Sequence, residues 1–177
     1  MTDQRQSPRA DNLREAEQLA ALARVHRLLE RHGIEYWLFG GWAVDFHAGL
    51  VTRPHDDIDL AVWFDDHERI AELLAADGWN HAPDEDEDGY QGYERGPVRL
   101  ELAFLARDEK AQVYTPVREG RGAWPDGSFE GDTAELHGVR ARIISLRALR
   151  ADKSETRDDA LVAAKDRADL AALSRFG

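Results

Sequence analysis

The sequence has no cysteine, so neither a disulfide framework nor a thiolate metal site is open to it, and any metal must be held by oxygen or imidazole. It also has no apolar run near the ~20 residues needed to cross a bilayer, and no membrane partner is expected. With 42% hydrophobic and 33% charged residues, its composition is that of an ordinary globular protein. Cations are in short supply: 23 Lys and Arg stand against 35 Asp and Glu, a formal net charge of -12. Nonspecific nucleic-acid binding displaces counterions with a surplus of Lys and Arg. That surplus is missing, so nucleic acid is not an expected partner, whereas a polycationic small molecule would be attracted. The amino-terminal MTDQRQSPRADN lacks the apolar stretch of a secretory signal. Residues 1–10 are therefore expected to be a disordered arm, and the protein cytoplasmic.

At 177 residues the chain has the length of one compact domain. From Asp11 to Arg31 the residues Leu13, Ala16, Leu19, Ala20, Ala23, His26 and Leu29 recur at helical spacing, with Gly33 as the stop. A β-rich run, Ile34 to Phe39, ends in Gly40-Gly41, and Trp42 to His47 reads as a brief helix closed by Gly49. Asp57 to Trp63 alternates as a strand, and Asp65 or Asp66 precedes a helix over His67 to Ala76. Trp79 to His81, Tyr90 to Glu94 and Val98 to Leu105 are expected as antiparallel neighbours, with the acidic run Asp84 to Asp88 as a solvated turn. Ala111 to Thr115 and Leu136 to Ile144 read as further strands, separated by a glycine-rich loop from Glu119 to Gly131. Ser145 caps a helix through Leu149, and a last helix from Asp158 to Ser174 carries Leu161, Ala164, Ala168, Ala171 and Ala172. The expected fold is α/β or α+β: a mixed, twisted sheet flanked by helices over residues 11–144, with a short helical C-terminal portion, 145–177, packed on the same domain.

The segment richest in chemistry is Gly40-Gly41-Trp42, followed sixteen residues after Gly41 by Asp57-Ile58-Asp59. Side chains alternate along a strand, so Asp57 and Asp59 share one face. Two like charges so placed repel, and a divalent cation is their natural counter-charge. Mg²⁺ suits them, being hard, oxygen-liganded and accustomed to one or two carboxylates plus substrate phosphates. A bare Asp-x-Asp also fits a polar strand face in water. The preceding diglycine adds a turn without Cβ atoms, whose N–H groups and following helix dipole can approach a phosphate. A third carboxylate, acting as base on a hydroxyl, is expected at Glu101, which projects opposite Leu100, Leu102 and Phe104. Trp79, Tyr90, Tyr93 and Trp124 are candidates to stack on a sugar ring or to belong to the core.

The run Tyr36-Trp37-Leu38-Phe39-Gly40-Gly41-Trp42-Ala43-Val44-Asp45, followed by Thr52-Arg53-Pro54-His55-Asp56-Asp57-Ile58-Asp59-Leu60, closely resembles the small antibiotic nucleotidyltransferases of the polymerase-β-like superfamily. The similarity is to the aminoglycoside 2''-adenylyltransferase and lincosamide nucleotidyltransferase group. This resemblance implies a transfer of a nucleoside monophosphate, AMP from ATP by preference, to a hydroxyl of a small acceptor such as an aminoglycoside or a lincosamide. Gly40 and Gly41 match the glycines that contact the nucleotide phosphates, and Asp57 and Asp59 the metal-binding aspartates. Glu101 falls at the third carboxylate, a base or further metal ligand, where near relatives carry aspartate. Arg53 and His55 match the loop before the metal strand, where a phosphate contact is implied. Lys165-Asp166-Arg167-Ala168-Asp169-Leu170 resembles a segment of the group's C-terminal helix. Either Lys165 or Lys153 is then expected to reach the phosphates, although Lys165 and Asp169 also have the spacing of a surface ion pair. The implied cofactors are Mg²⁺, commonly two ions, and ATP or another NTP. A toxin–antitoxin type enzyme modifying a protein or RNA would keep the same metal site, and a catalytically silent nucleotide-binding domain would keep the cradle.

Overall fold

The computed structural model describes the backbone of residues 8–176 and the side chains of residues 11–175. Helix α1 runs from Pro8 to Arg31, so it begins three residues before the expected Asp11; the rest of the expected arm, residues 1–7, lies outside the described residues. Its buried stripe is Gln18, Leu22, Val25 and Leu29, flanked by Leu19 and Ala21. Leu13, Ala16 and Ala20, expected on that stripe, face solvent. The reason is polar: Gln18 is buried because its side-chain amide donates to the His55 carbonyl at 3.2 Å, so the true stripe is not purely apolar.

Strand β1 (Tyr36–Phe39) leads without a linker into α2 (Gly40–Ala48), which ends at Gly49 with φ 74°. Strand β2 (Ile58–Trp63) follows, then α3 (His67–Ala76), β3 (Asn80–His81), β4 (Tyr90–Arg95) and β5 (Val98–Arg107). These strands form a mixed sheet in the order β1-β2-β5-β4-β3, in which only β2 and β5 run parallel. Strands β3, β4 and β5 are antiparallel neighbours as expected, and Asp84 to Asp88 are exposed between β3 and β4. Strand β6 (Val113–Val117) pairs with the end of β5 and with β7 (Gly120–Ala123). The expected loop from Glu119 to Gly131 therefore contains a strand, because Thr115, Pro116 and Val117 pair with Gly122, Arg121 and Gly120 by backbone alone.

The strand structure expected from Leu136 to Ile144, around His137-Gly138, is a hairpin that begins three residues earlier, β8 (Thr133–Leu136) and β9 (Val139–Arg142). His137 and Gly138 both take positive φ, 50° and 78°, the geometry of a tight two-residue turn, so the chain reverses there. Ser145 caps α4 (Leu146–Lys153), its Oγ accepting from the Ala148 N–H at 3.2 Å. Helix α5 (Ala160–Phe176) then packs on α2 and α4. Its buried residues are Asp166, Asp169, Ala172 and Leu173, whereas Leu161, Ala164, Ala168 and Ala171 are exposed. The apolar reading of this helix chose the wrong face, because two carboxylates occupy the right one. Trp79 and Tyr93 are core residues, 3% and 5% exposed.

Candidate active site

The sheet register assembles the site. Phe39 on β1 lies opposite Asp59 on β2, and Asp59 lies beside Glu101 on β5, so three adjacent strands place these residues in one row. Asp57 immediately precedes β2 and shares the face of Asp59. Carboxylate oxygens of Asp57, Asp59 and Glu101 lie within 4.8 Å of one another, and all three side chains are half-buried.

Gly40, the residue after Phe39, opens α2 at the end of this row with φ 66°. A Cβ at Gly40 would sit 2.0 Å from Asp59 Oδ2, so glycine is required both for the backbone conformation and for the approach of the carboxylate. A Cβ at Gly41 would meet the His55 ring at 2.5 Å and the Arg53 guanidinium at 2.6 Å. The diglycine thus lets the start of α2 pack directly on β2 and on the loop that precedes it.

The three carboxylates are electrostatically uncomfortable. Burial, then the charge of Asp56, raises Asp57 above the ordinary aspartate range. Burial, then Asp57 and Glu101, raises Asp59 well above it. Glu101 is pushed up to about 7 by burial and by Asp57, Glu87 and Glu85. Among the described residues, none of the three makes an ion pair or a side-chain hydrogen bond. An all-oxygen, like-charged, partly dehydrated cluster of this kind fits a hard divalent cation, which would replace the missing counter-charge.

Arg53 and His55 lie close enough to pull the raised pKa of Asp59 and Asp57, respectively, partly back down, but their hydrogen bonds run elsewhere. The Arg53 guanidinium forks onto Asp169, Nε to Oδ1 at 2.8 Å and Nη2 to Oδ2 at 3.0 Å. His55 is 5% exposed and shares a short hydrogen bond with Asp45, which also accepts from the Thr52 N–H at 3.1 Å and the Thr52 hydroxyl. Together these contacts fasten the loop carrying Asp57 to α2 and α5. Lys165 pairs with Asp56 at 2.7 Å on the surface, not with Asp169, which is fully buried.

Of the two lysines expected at the site, Lys153 is the one that lines a cavity with two of the carboxylates. It lines a cavity of about 660 Å³ together with Gly40, Asp59, Glu101, Trp124 and Arg157. Burial opposes the Lys153 charge, but the hydrogen bond to Asp166 at 2.9 Å and the charges of Asp169 and Asp166 outweigh it and raise its pKa. Arg157 holds the other Asp166 oxygen at 2.9 Å. Arg53, Lys153 and Arg157 thus meet the two buried carboxylates of α5, and Arg157 pairs in addition with Asp152 and Glu155. Sequence reasoning missed Asp45, Asp166, Asp169 and Arg157. The signal available was the pair of acids three residues apart, at helical spacing, with lysines and arginines on either side.

Residues 21–173 match the family described as aminoglycoside-2''-adenylyltransferase. The chain belongs to this family. The aminoglycoside-2''-adenylyltransferase family consists of nucleotidyltransferases, in keeping with the glycine-opened helix beside three carboxylates. Two curated relatives, 2''-aminoglycoside nucleotidyltransferases of Escherichia coli and Klebsiella pneumoniae, are 46% identical over 39 residues, 20% of this chain and 22% of each relative. The sequence match thus spans about a fifth of those proteins. Among solved structures, ANT(2'')-Ia in complex with adenylyl-2''-tobramycin has a TM-score of 0.67 at 22% identity, covering 89% of this chain and 90% of that one. The lincosamide adenylyltransferase LnuA with lincomycin bound has a TM-score of 0.70 at 18% identity, covering 89% of this chain and 97% of that one. At these identities the two structures establish a shared nucleotidyltransferase fold, the mixed α+β architecture expected from the sequence. Among the described residues no helix is long and apolar enough to cross a membrane.

Proposed function

We propose that this protein transfers a nucleoside monophosphate, AMP from ATP in our reading, to a hydroxyl of a small cationic acceptor of the aminoglycoside type, as a cytoplasmic enzyme. The observation that carries the proposal is the convergence of Asp57, Asp59 and Glu101 within 4.8 Å beside the Gly40 opening of α2. The named relatives act on aminoglycosides, and the net charge of -12 favours a polycationic acceptor over an RNA.

Asp57, Asp59 and Glu101 would hold Mg²⁺, which when bound offsets charge on the triphosphate and orients it for in-line displacement. The chain's own groups do the rest. The backbone N–H groups at the start of α2 point their partial positive charge at a phosphate. Lys153, with Arg157 behind it, offsets charge on the departing pyrophosphate. Glu101, one strand over from Asp59, would accept the proton of the acceptor hydroxyl through a carboxylate oxygen not engaged with the metal. Its exposed neighbours Glu85 and Glu87 extend the negative field toward solvent, where an amine-rich acceptor would arrive. Arg53, His55 and Lys165 act by holding the loop around Asp57 in place, and we assign them no phosphate contact.

The test is to incubate the protein with Mg-ATP and a panel of aminoglycosides and lincosamides, and to look by mass spectrometry for a product heavier by one AMP. An adduct on one or more aminoglycosides, absent with Asp57→Asn, is the expected result. A fully active Asp57→Asn variant contradicts the mechanism, and adducts confined to lincosamides overturn the acceptor assignment.

A further inference from the structure

The cavity over the carboxylates is lined by the cations Lys153 and Arg157, by the acids Asp152 and Glu155 that pair with Arg157, and by Trp124 and Pro125. A nucleoside triphosphate carries its negative charge at one end and a planar, weakly charged ring at the other. It therefore needs a cation and a flat apolar surface within one molecule's reach, and Lys153 and Trp124 line the same cavity.

Trp124 is built to be a platform. Its indole N–H donates to Thr115 Oγ1 at 2.9 Å, which fixes the orientation of the ring. Phe39 meets it edge-on, centroids 5.2 Å apart at 85°, and Phe129 packs against it at 5.2 Å and 60°. A ring immobilised in this way gives up little further freedom when a second ring stacks on it. Trp42 and Trp79, by contrast, are 1% and 3% exposed and belong to the core. Phe39 places the platform next to the catalytic row, because Phe39 and Asp59 are register neighbours.

We infer that Trp124, oriented by Thr115, is the surface on which the base of the nucleoside triphosphate stacks. This rests on the cavity being the donor site of the proposed transferase. Base–aromatic stacking is tolerant of base identity and strong enough to matter at a single contact, so Trp124 is a nucleotide-binding residue that supports affinity for any of the NTPs and takes no part in the chemical step.

The experiment uses the full chain with Mg-ATP, Mg-GTP and Mg-UTP as probes. Intrinsic tryptophan fluorescence should be quenched on titration with Mg-ATP, with the midpoint of calorimetric binding, and most of that quench should vanish in Trp124→Phe although ATP still binds. Trp124→Ala should raise the Mg-ATP Kd about tenfold, ~1.4 kcal/mol, move the Mg-GTP and Mg-UTP Kd in the same direction, and leave the acceptor KM within about twofold. Thr115→Val should move the ATP Kd in the same direction by less. The inference is overturned if well-folded Trp124→Ala binds Mg-ATP as the parent does, or if only the acceptor KM rises. Should Trp124→Ala fail to fold, the fluorescence of Trp124→Phe decides: a quench equal to the parent's overturns the inference. Calorimetry reads binding without turnover, so absence of any AMP adduct would sink the transferase reading while the Kd still judges Trp124.

Discussion

Asp59→Asn is expected to lower nucleotidyl transfer by at least roughly a thousandfold and, in metal-free protein at pH 8, to raise the melting temperature. The two effects have one cause. In the folded protein Asp57 and Asp59 titrate above 3.8 and Glu101 near 7 instead of 4.5. The unfolded chain has lost these protons once the pH passes the ordinary carboxylate range, while the folded chain holds those of Asp57 and Asp59 to higher pH and that of Glu101 until about 7. Above the unfolded values the folded state therefore binds more protons, and by linkage its stability falls as pH rises through the folded pKa values. The Glu101 part of this contribution is fully present below about pH 4 and gone above about pH 7, and the aspartate parts are lost in the same direction. At pH 8 the metal-free protein thus carries the whole repulsion, and removing one charge relieves it by ~1–2 kcal/mol after allowance for partial exposure, or roughly 3–6 °C for a chain of this size. The activity loss follows because Asn retains the shape and one oxygen but not the charge that holds a divalent cation. Scanning calorimetry in EDTA at pH 5 and pH 8 checks the sign: the stabilisation should be present at pH 8 and much smaller at pH 5. A variant less stable than the parent at pH 8 would mean that Asp59 has a protein partner.

Gly40→Ala should be the most damaging single-methyl change in the site. The added Cβ would fall 2.0 Å from Asp59 Oδ2, and φ is 66°, so the variant meets a clash and an unfavourable backbone together. Relief requires moving Asp59 or reopening the junction of β1 and α2, and either separates the carboxylates from the helix start. Transfer should fall by at least about a hundredfold and stability by ~2–3 kcal/mol. Gly49→Ala is the control, since Gly49 has φ 74° with nothing within 4 Å of its Cβ. It should cost only the backbone strain, ~1–2 kcal/mol, with activity within about twofold. Equal activity losses in the two variants would show that conformation, not contact with Asp59, is what Gly40 supplies.

Much of the row of carboxylates was legible in the sequence because it follows strict alternation. Asp57-Ile58-Asp59 and Leu100-Glu101-Leu102 are strand patterns whose polar members must share a face, and the diglycine marks where β1 must turn. What alternation could not show is that β2 and β5 are parallel neighbours, the pairing that sets Asp59 beside Glu101. The C-terminal helix was misread for a different reason. Periodicity analysis assumes that the buried stripe is apolar, and α5 buries Asp166 and Asp169 because Lys153, Arg157 and Arg53 come to meet them. Burying such carboxylates costs several kcal/mol each unless paired, and the partners arrive from 9 to 116 residues away in sequence. The same logic hid the roles of Arg53 and His55. Their motif position next to the metal strand invites a phosphate contact, whereas their hydrogen bonds run to Asp169 and Asp45. The strand β7 was read as loop because Gly120, Arg121 and Gly122 carry almost no β-forming side chain, so its pairing rests on backbone hydrogen bonds.

The claim on which all of this rests is that three clustered acids form a cation site. Mn²⁺, a hard oxygen-seeking ion with an unpaired-spin signal, reports on it directly by electron paramagnetic resonance without nucleotide or acceptor. The parent should bind Mn²⁺, more tightly at pH 8 than at pH 6 as protons leave Glu101 and its neighbours, and Asp59→Asn should weaken binding at pH 8 by tenfold or more. Mn²⁺ affinity that is the same in parent and variant at both pH values would contradict the account.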